Sequence, residues 1–204
     1  MKTKKLVYGV GINDADYVTR KWETIEVNGK QKQKFVWICP YYSVWTHMLE
    51  RCYSSKRQET HPTYKGCSVS EEWLTFSNFK RWMESQDFEG KQLDKDLLFE
   101  GNKVYSKETC VFVTRVVNMF TVDRSNDRGE WSIGVYWNKA SEKFRAMCRN
   151  PLTKKQEHLG LFTCELEAHQ AWLKRKLELA TLLAAEQTDS RVARALIERY
   201  TNYN

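Results

Sequence analysis

The sequence has no long apolar run and no leader-like N-terminus. No stretch of its 204 residues has the apolar length needed to cross a bilayer, and the N-terminus lacks the basic start, apolar centre and cleavage site of a signal peptide. Internal repeats and low-complexity segments are absent as well. These absences argue against a membrane protein or a repeat array, and we expect a protein that remains in the cytoplasm.

Paired cysteines are also missing. The six cysteines form no C-x-x-C pair; they are Cys39, Cys52, Cys67, Cys110, Cys148 and Cys164. Most of them lie among apolar residues, so we interpret them as reduced thiols that pack in the core. A zinc cluster of Cys52, Cys67 and Cys110 is the alternative, but their spacing matches no zinc-ligand knuckle. We therefore predict no metal site.

Positive charge exceeds negative charge, mostly in one segment. The chain has 33 Lys and Arg against 26 Asp and Glu, a net charge of +7. Nine of the cations and four glutamates lie between Lys139 and Lys176, which gives this segment +5 of the total. Such an excess favours a polyanionic partner, so 139–176 is the candidate footprint.

The N-terminal half alternates short strands and helices. Asn28 and Gly29 predict a tight hairpin turn between two alternating segments, and Ser70 is a candidate side-chain cap for a helix with an aromatic face. The predicted elements are a hairpin over 21–38, a helix over 41–53, a loop over 54–63, a helix over 70–85, a strand from 92, a turn at 100–103, a strand from 108 and a short helix around 113–120. We expect an α+β domain over 1–122.

The polar stretch 123–130 is the expected linker, because it has turn formers and no apolar anchor. The expected second domain, 131–204, has strands over 132–137, 143–149 and 157–162, and then a helix of about twenty residues from Cys164 or Glu165. A last helix over 190–200 has an apolar side that folds back on its own domain or forms a homodimer. That side comprises Val192, Leu196, Ile197 and Tyr200. A three-stranded antiparallel sheet packed on a helix follows from this pattern.

Strand alternation assigns a basic open face to this sheet. Phe144, Ala146 and Cys148 suit the covered face, so their neighbours in the strand point outward. The candidate DNA-binding residues on the open face and in its turns are Tyr136, Asn138, Lys139, Lys143, Arg145, Met147, Arg149, Lys154, Lys155 and His158. Such a surface has the width to enter a DNA major groove, where arginine pairs with guanine and lysine holds phosphates. A solvated face that keeps the protein soluble is the alternative.

A family resemblance favours the first interpretation. The blocks Ser132-Ile-Gly-Val-Tyr-Trp, Lys143-Phe-Arg-Ala, His158-Leu-Gly-Leu-Phe and Glu165-Leu-Glu-Ala-His-Gln-Ala-Trp occur in this order. They resemble the AP-two/ethylene-response-factor DNA-binding domain in the version found in phage proteins, over about fifty residues. The chain departs from the plant domains at Ile133 and Tyr136, where those domains carry arginines. The resemblance implies binding of double-stranded DNA.

The N-terminal half resembles phage homing-endonuclease-like proteins of the HNH group. The matching blocks are Trp45, Arg51-Cys-Tyr, Tyr64-Lys-Gly-Cys-Ser-Val, Glu72-Trp-Leu, Leu93-Asp-Lys-Asp-Leu, Gly101-Asn-Lys-Val-Tyr and Glu108-Thr-Cys-Val-Phe-Val. In that group this half precedes an AP-two-like domain, so both resemblances together span roughly residues 40 to 186. The resemblance implies descent from a magnesium-dependent nuclease.

The HNH motif is degenerate in this chain. An HNH site needs a histidine as general base and a divalent metal at the scissile phosphate. Lys95 stands at the histidine position between Asp94 and Asp96; Asn102 matches the middle position, and Thr109 replaces the last Asn or His. A lysine becomes a base only when burial lowers its pKa by several units, and flanking carboxylates oppose that shift.

These positions therefore count as vestigial. Asp94 and Asp96 are interpreted as a surface ion-pair cluster or a turn stabiliser, and no magnesium is expected. The histidines, His47, His61, His158 and His169, lie elsewhere in the sequence. His61, on a loop, is the one candidate to enter the site.

The sequence as a whole predicts a DNA reader that does not cut. We expect a domesticated, nuclease-dead homing-endonuclease relative that represses transcription by occupying an operator, as phages and phage satellites use them. The alternatives are an active magnesium-dependent HNH-like endonuclease and a protein-interaction module. Structured RNA remains open as the polyanion.

Overall fold

The protein is a mixed α+β protein whose contacts divide it into two units. The computed structural model describes residues 5–122 and 130–203. The first unit ends at Phe112 and the second begins at Val113. Elements up to the boundary are β1 (Arg20–Val27), β2 (Lys30–Ile38), α1 (Pro40–Tyr53), α2 (Ser55–Thr60), a 3-10 turn (Pro62–Tyr64), β3 (Ser68–Val69), α3 (Glu71–Leu74), α4 (Phe76–Glu84), β4 (Gln92–Asp94), β5 (Val104–Tyr105) and β6 (Val111–Val113).

The predicted hairpin is present as an antiparallel pair. Asn28 and Gly29 both have positive φ, 53° and 71°, which matches the backbone of a tight hairpin turn. β1 pairs with β2 from Arg20 and Ile38 to Val27 and Lys30, with one irregularity after Lys21. The other pairs in this unit are short: β3 lies parallel to β5, and β4 pairs with β6.

The helix predicted over 70–85 is two helices, α3 and α4, which meet at Thr75. The break follows from a distant segment, because the amide of Ile12 donates to Leu74 O and the carbonyl of Ile12 accepts from Phe76 N. The side chain of Ser70 makes no capping hydrogen bond, so that prediction was wrong. Asp14 instead accepts the amide of Ser77, 2.9 Å away, at the start of α4.

The core of the first unit is aromatic. Trp45 of α1 is fully buried, and its Nε1 donates to Trp73 O over 2.7 Å. Rings of α1, α3 and α4 pack around it, as the spacing of apolar residues predicted. The largest fully buried side chains of the first unit are Trp45, Met48, Leu49, Trp73, Phe76, Phe79, Met83, Tyr105 and Val111.

The second unit contains the expected three-stranded sheet. Its elements are α5 (Arg115–Thr121), β7 (Val135–Asn138), β8 (Lys143–Arg149), β9 (Gln156–Phe162), α6 (Glu165–Ala185) and α7 (Ser190–Thr201). The strand order is β7-β8-β9, with both pairs antiparallel. β7 begins three residues later than predicted, because Ser132 turns away to bind α6: its amide and hydroxyl both donate to Glu165 Oε1.

The apolar side of α7 packs within its own unit. Val192, Leu196 and Tyr200 are buried, and Ile197 is the member of that side that stays exposed. α5 belongs to the same unit, because the hydroxyl of Tyr200 donates to Phe120 O over 3.1 Å. The boundary expected after residue 122 therefore falls ten residues later than the division of contacts, which comes after Phe112. The expected linker lies outside the described residues except at its last position.

No described helix has the length and apolarity required to cross a bilayer.

Candidate nucleic-acid interface

The strand register places the predicted side chains on one open face of the β7-β8-β9 sheet. Tyr136 lies opposite Arg145, and Asn138 lies opposite Lys143. On the other edge, Met147 lies opposite His158. Arg145, Arg149 and His158 are exposed, whereas Ala146 and Cys148, on the alternate positions of β8, are buried. The alternation used to assign the two faces is therefore present in the structure.

Two further side chains join this face, and the sequence argument missed them. Gln156 lies opposite Arg149, and Leu161 lies opposite Arg145. The register shifts by one residue after Ala146, so β9 has an extra residue there and the alternation reverses along it. A glycine inside a strand, here Gly160, is the sequence signal that would have indicated this bulge.

Turns at the two ends of β8 hold the remaining lysines. In the β7–β8 turn, Asn138 Oδ1 accepts the amide of Ala140 over 3.1 Å, so this side chain also shapes the turn that carries Lys139. In the β8–β9 turn, Asn150 Oδ1 accepts the amides of Leu152 and Thr153. Lys139 is exposed, as are Lys154 and Lys155 at the other turn.

Ion pairs and hydrogen bonds on the covered side hold the sheet against α6. Both oxygens of Glu157 accept from the Arg175 guanidinium, at 2.7 and 3.2 Å, and Asn150 Nδ2 donates to Glu157 as well. The hydrogen bonds from Arg175 and Asn150 lower the pKa of Glu157. A bidentate pair fixes orientation as well as distance, so it sets the angle between β9 and α6.

Three cations of the predicted footprint, Lys174, Arg175 and Lys176, lie on α6 and not on the open face, and two of them are engaged within the fold. Arg175 is engaged by Glu157 and Glu178. Lys176 donates to Phe120 O over 2.7 Å, and its ammonium lies 3.5 Å from the centre of the Phe120 ring and 4.8 Å from that of Tyr200. Burial lowers the pKa of Lys176 to about 8. The local excess of positive charge over 139–176 thus overstates the charge available to a ligand.

The charge that remains on the open face is of one sign. The residues whose side chains share it are Tyr136, Asn138, Lys143, Arg145, Met147, Arg149, Gln156, His158 and Leu161. None of these described strand positions holds a carboxylate. Three strands place the outer two about 10 Å apart, and the major groove of B-DNA is about 12 Å wide. The face therefore combines the width of a groove with exposed guanidinium groups.

The positions that resemble the HNH motif lie in the first unit and form an internal network. The expectation of a surface ion-pair cluster was wrong for Lys95, because its side chain is buried, with 6% of its surface exposed. Its Nζ donates to Asp96 Oδ2 over 3.0 Å and to Asn102 O over 2.8 Å. A lysine with an ion pair and a carbonyl bond inside the fold acts as a cross-link between the two ends of the 95–102 loop.

Asp94 and Asn102 bind the backbone of the same loop. Asp94 Oδ1 accepts the amides of Asp96 and Leu97, at 3.0 and 2.7 Å, which confirms the turn-stabiliser interpretation. Burial and the neighbouring Asp96 raise the pKa of Asp94. Asn102 Nδ2 donates to Lys95 O and Val104 O, and its Oδ1 accepts from Val104 N. Asp94 Oδ1, Lys95 Nζ and both polar side-chain atoms of Asn102 are thus engaged by the protein itself.

Of the other positions that the resemblance singled out, Thr109 shares an acceptor with this network, whereas His61 makes its contact elsewhere. The hydroxyl of Thr109 donates to Val104 O over 2.7 Å. His61 is exposed, and its Nδ1 lies 2.9 Å from the hydroxyl of Thr60. Over 5–122 and 130–203, no histidine hydrogen-bonds to Asp94, Lys95 or Asn102.

The cysteines are free, and five of the six are buried. Cys164 is exposed at the start of α6, so the prediction of a core thiol was wrong there. Burial raises the pKa of Cys52 and Cys110 to about 12 each, which disfavours the thiolate that binds metals. Within the described part of the chain, no group of three or more His, Cys, Asp or Glu is arranged to hold a metal ion.

Comparisons of this chain with protein families, with curated proteins and with solved structures each find no match.

Proposed function

We propose that this chain is a sequence-specific double-stranded DNA-binding protein that reads DNA with the open face of the β7-β8-β9 sheet. The observation that carries the proposal is the exposure of Arg145 and Arg149 on the central strand, on a face without carboxylates. Arginine at such a position donates two hydrogen bonds to guanine in the major groove. Lys139, Lys154 and Lys155, in the turns, suit contacts with phosphates.

The proposal includes binding without cutting. The vestigial positions support it, because the side chains of Asp94, Lys95 and Asn102 hydrogen-bond to backbone atoms of the 95–102 loop. A protein that binds an operator and leaves it intact blocks polymerase by occupancy, so a domesticated homing-endonuclease relative acting as a transcriptional repressor is the role that we propose. A cytoplasmic location belongs to the same proposal.

Selection from a random DNA pool tests both parts. We expect one sequence to be enriched, and we expect supercoiled plasmid carrying it to stay intact with Mg²⁺. Cleavage of the enriched site would support the magnesium-dependent endonuclease instead. A pool without enrichment would overturn sequence-specific binding and favour a protein-interaction module.

Substitutions on the sheet test which residues read the sequence. Arg145→Ala and Arg149→Ala should each cost about 1 to 3 kcal/mol on the selected site and relax the preference at one base pair. Lys154→Ala is the matched control, because a phosphate contact weakens binding to all sequences alike. If both arginine variants discriminate target from random DNA as the parent does, the sheet is not the reader.

A further inference from the structure

The β1-β2 hairpin is a ribbon with two exposed faces. Its strands pack closely on each other, and no other described element makes comparably extensive contact with either. At its base, the Arg20 guanidinium lies 5.1 Å from the centre of the Tyr42 ring, and Cys39 N donates to Thr19 O. A two-stranded hairpin is marginally stable alone, so an exposed ribbon of this length indicates a role outside the fold.

The two faces differ in charge. One face carries Lys30, Lys32 and Lys34 on alternate positions of β2, opposite Val27, Ile25 and Glu23. All three lysines are exposed. The other face pairs Trp22 with Phe35, whose rings meet edge to face at 5.1 Å, and Thr24 with Gln33, which share a hydrogen bond of 2.9 Å. The lysine face thus carries three cations and one carboxylate, Glu23, whereas the other face carries the carboxylate of Glu26 opposite Gln31.

The lysine row is regular along β2. Alternate residues of a strand lie about 7 Å apart, so three ammonium groups follow one line along the ribbon. Ile25 and Val27, directly opposite Lys32 and Lys30, are half-buried although no other described element makes extensive contact with the hairpin. This burial indicates that the lysine stems lie across them while the charged ends point to solvent.

We propose that the face defined by Lys30, Lys32 and Lys34 is a second contact surface for duplex DNA, one that binds phosphates and carries no sequence preference. The proposal rests on the proposed function only in taking duplex DNA as the polyanion, and it requires nothing of Arg145 or Arg149. A row of fixed cations complements the line of charges on a DNA strand, and a two-stranded ribbon is narrow enough to follow a groove.

Salt dependence of binding measures the number of phosphates contacted. The test variant is Lys30→Gln with Lys32→Gln and Lys34→Gln, which keeps most of each stem and removes three charges. The control is Lys5→Gln with Lys56→Gln and Lys65→Gln, which removes three exposed charges from elsewhere in the same unit. Circular dichroism and thermal unfolding establish that both variants remain folded.

Dissociation constants for a random-sequence duplex are measured over a salt series. We expect the slope of log K against log salt to become shallower by about 3 in the hairpin variant and to stay unchanged in the control. Equal slopes for the two variants would overturn the proposal and direct attention to a protein partner for the ribbon. A parent that binds no duplex DNA would overturn it as well.

A second arm separates this proposal from the sheet. The three hairpin substitutions are repeated in a protein that carries Arg145→Ala and Arg149→Ala. The change of slope should persist there, because phosphate contacts do not depend on base contacts. Loss of the change in that background would show that the lysines act through the sheet, and would overturn the independent surface. If the slope changes but the arginine substitutions leave discrimination intact, only the proposed sheet function fails.

Discussion

Replacement of Gly134 by alanine tests how the sheet is seated on α6. Gly134 has a φ of +79°, and an added Cβ would lie 2.1 Å from Cδ1 and 2.3 Å from Cγ of Trp172. A left-handed backbone costs an alanine about 1 to 2 kcal/mol. The indole is 5% exposed and stacks on His169, so it has little room to move. Overpacking of this kind adds about 1 to 3 kcal/mol.

We therefore expect Gly134→Ala to destabilise the second unit by about 2 to 5 kcal/mol, a large part of the stability of a small domain. Native-state hydrogen exchange read by mass spectrometry measures this locally, in peptides of β7 and α6. Gly29→Ala is the control, because Gly29 has a φ of +71° and an added Cβ there meets nothing within 4 Å. A similar loss in both variants would refute the close approach of Gly134 to Trp172.

Two further substitutions probe polar groups inside the fold. Burial lowers the pKa of Lys176 from 10.5 to about 8. Between these two pH values the unfolded chain binds more protons than the folded chain, so the free energy of unfolding rises as the pH rises through this range. Lys176→Met should remove that rise and stabilise the protein at pH 7 by about 1 to 3 kcal/mol, since the ring contacts offset part of the burial cost. If the free energy of unfolding in urea depends on pH in the variant as it does in the parent, this expectation is contradicted. Asn102→Ala removes three hydrogen bonds and should cost about 1 to 3 kcal/mol in local unfolding. DNA affinity should be unaffected by that change, whereas a loss of DNA affinity without a loss of stability would contradict the scaffold role.

Features that depend on neighbouring residues were predictable from the sequence. The hairpin turn at Asn28 and Gly29 and the alternation along β8 are local patterns, and the structure has both. The helix α6 was expected from Cys164 or Glu165 for the same reason, and it begins at Glu165. These elements include the candidate reading face, whose side chains on β7 and β8 follow from local alternation, whereas Gln156 and Leu161 on β9 depend on the bulge after Ala146.

Features set by distant contacts were not predictable in this way. The break at Thr75 depends on Ile12, more than sixty residues earlier in the chain, whose backbone bonds to both sides of it. The side chain of Lys95 was expected at the surface, because hydropathy gives no sign of a carbonyl partner at Asn102. The burial of Lys176 among aromatic rings likewise follows from the return of α5 and α7 onto α6.

The two proposed surfaces would contribute to DNA binding in different ways. Base contacts from Arg145 and Arg149 would determine the ratio between target and random DNA, whereas the lysines of the hairpin face would bind every sequence alike. Occupancy of one operator among many competing sites depends on that ratio, while encounter and sliding along DNA depend on phosphate contacts. In such a repressor, the sheet would determine the sequence specificity, and both surfaces would contribute to the salt dependence of binding. Raising the salt concentration should therefore weaken binding to target and random DNA together. Removal of the hairpin lysines should make this loss of affinity with salt less steep.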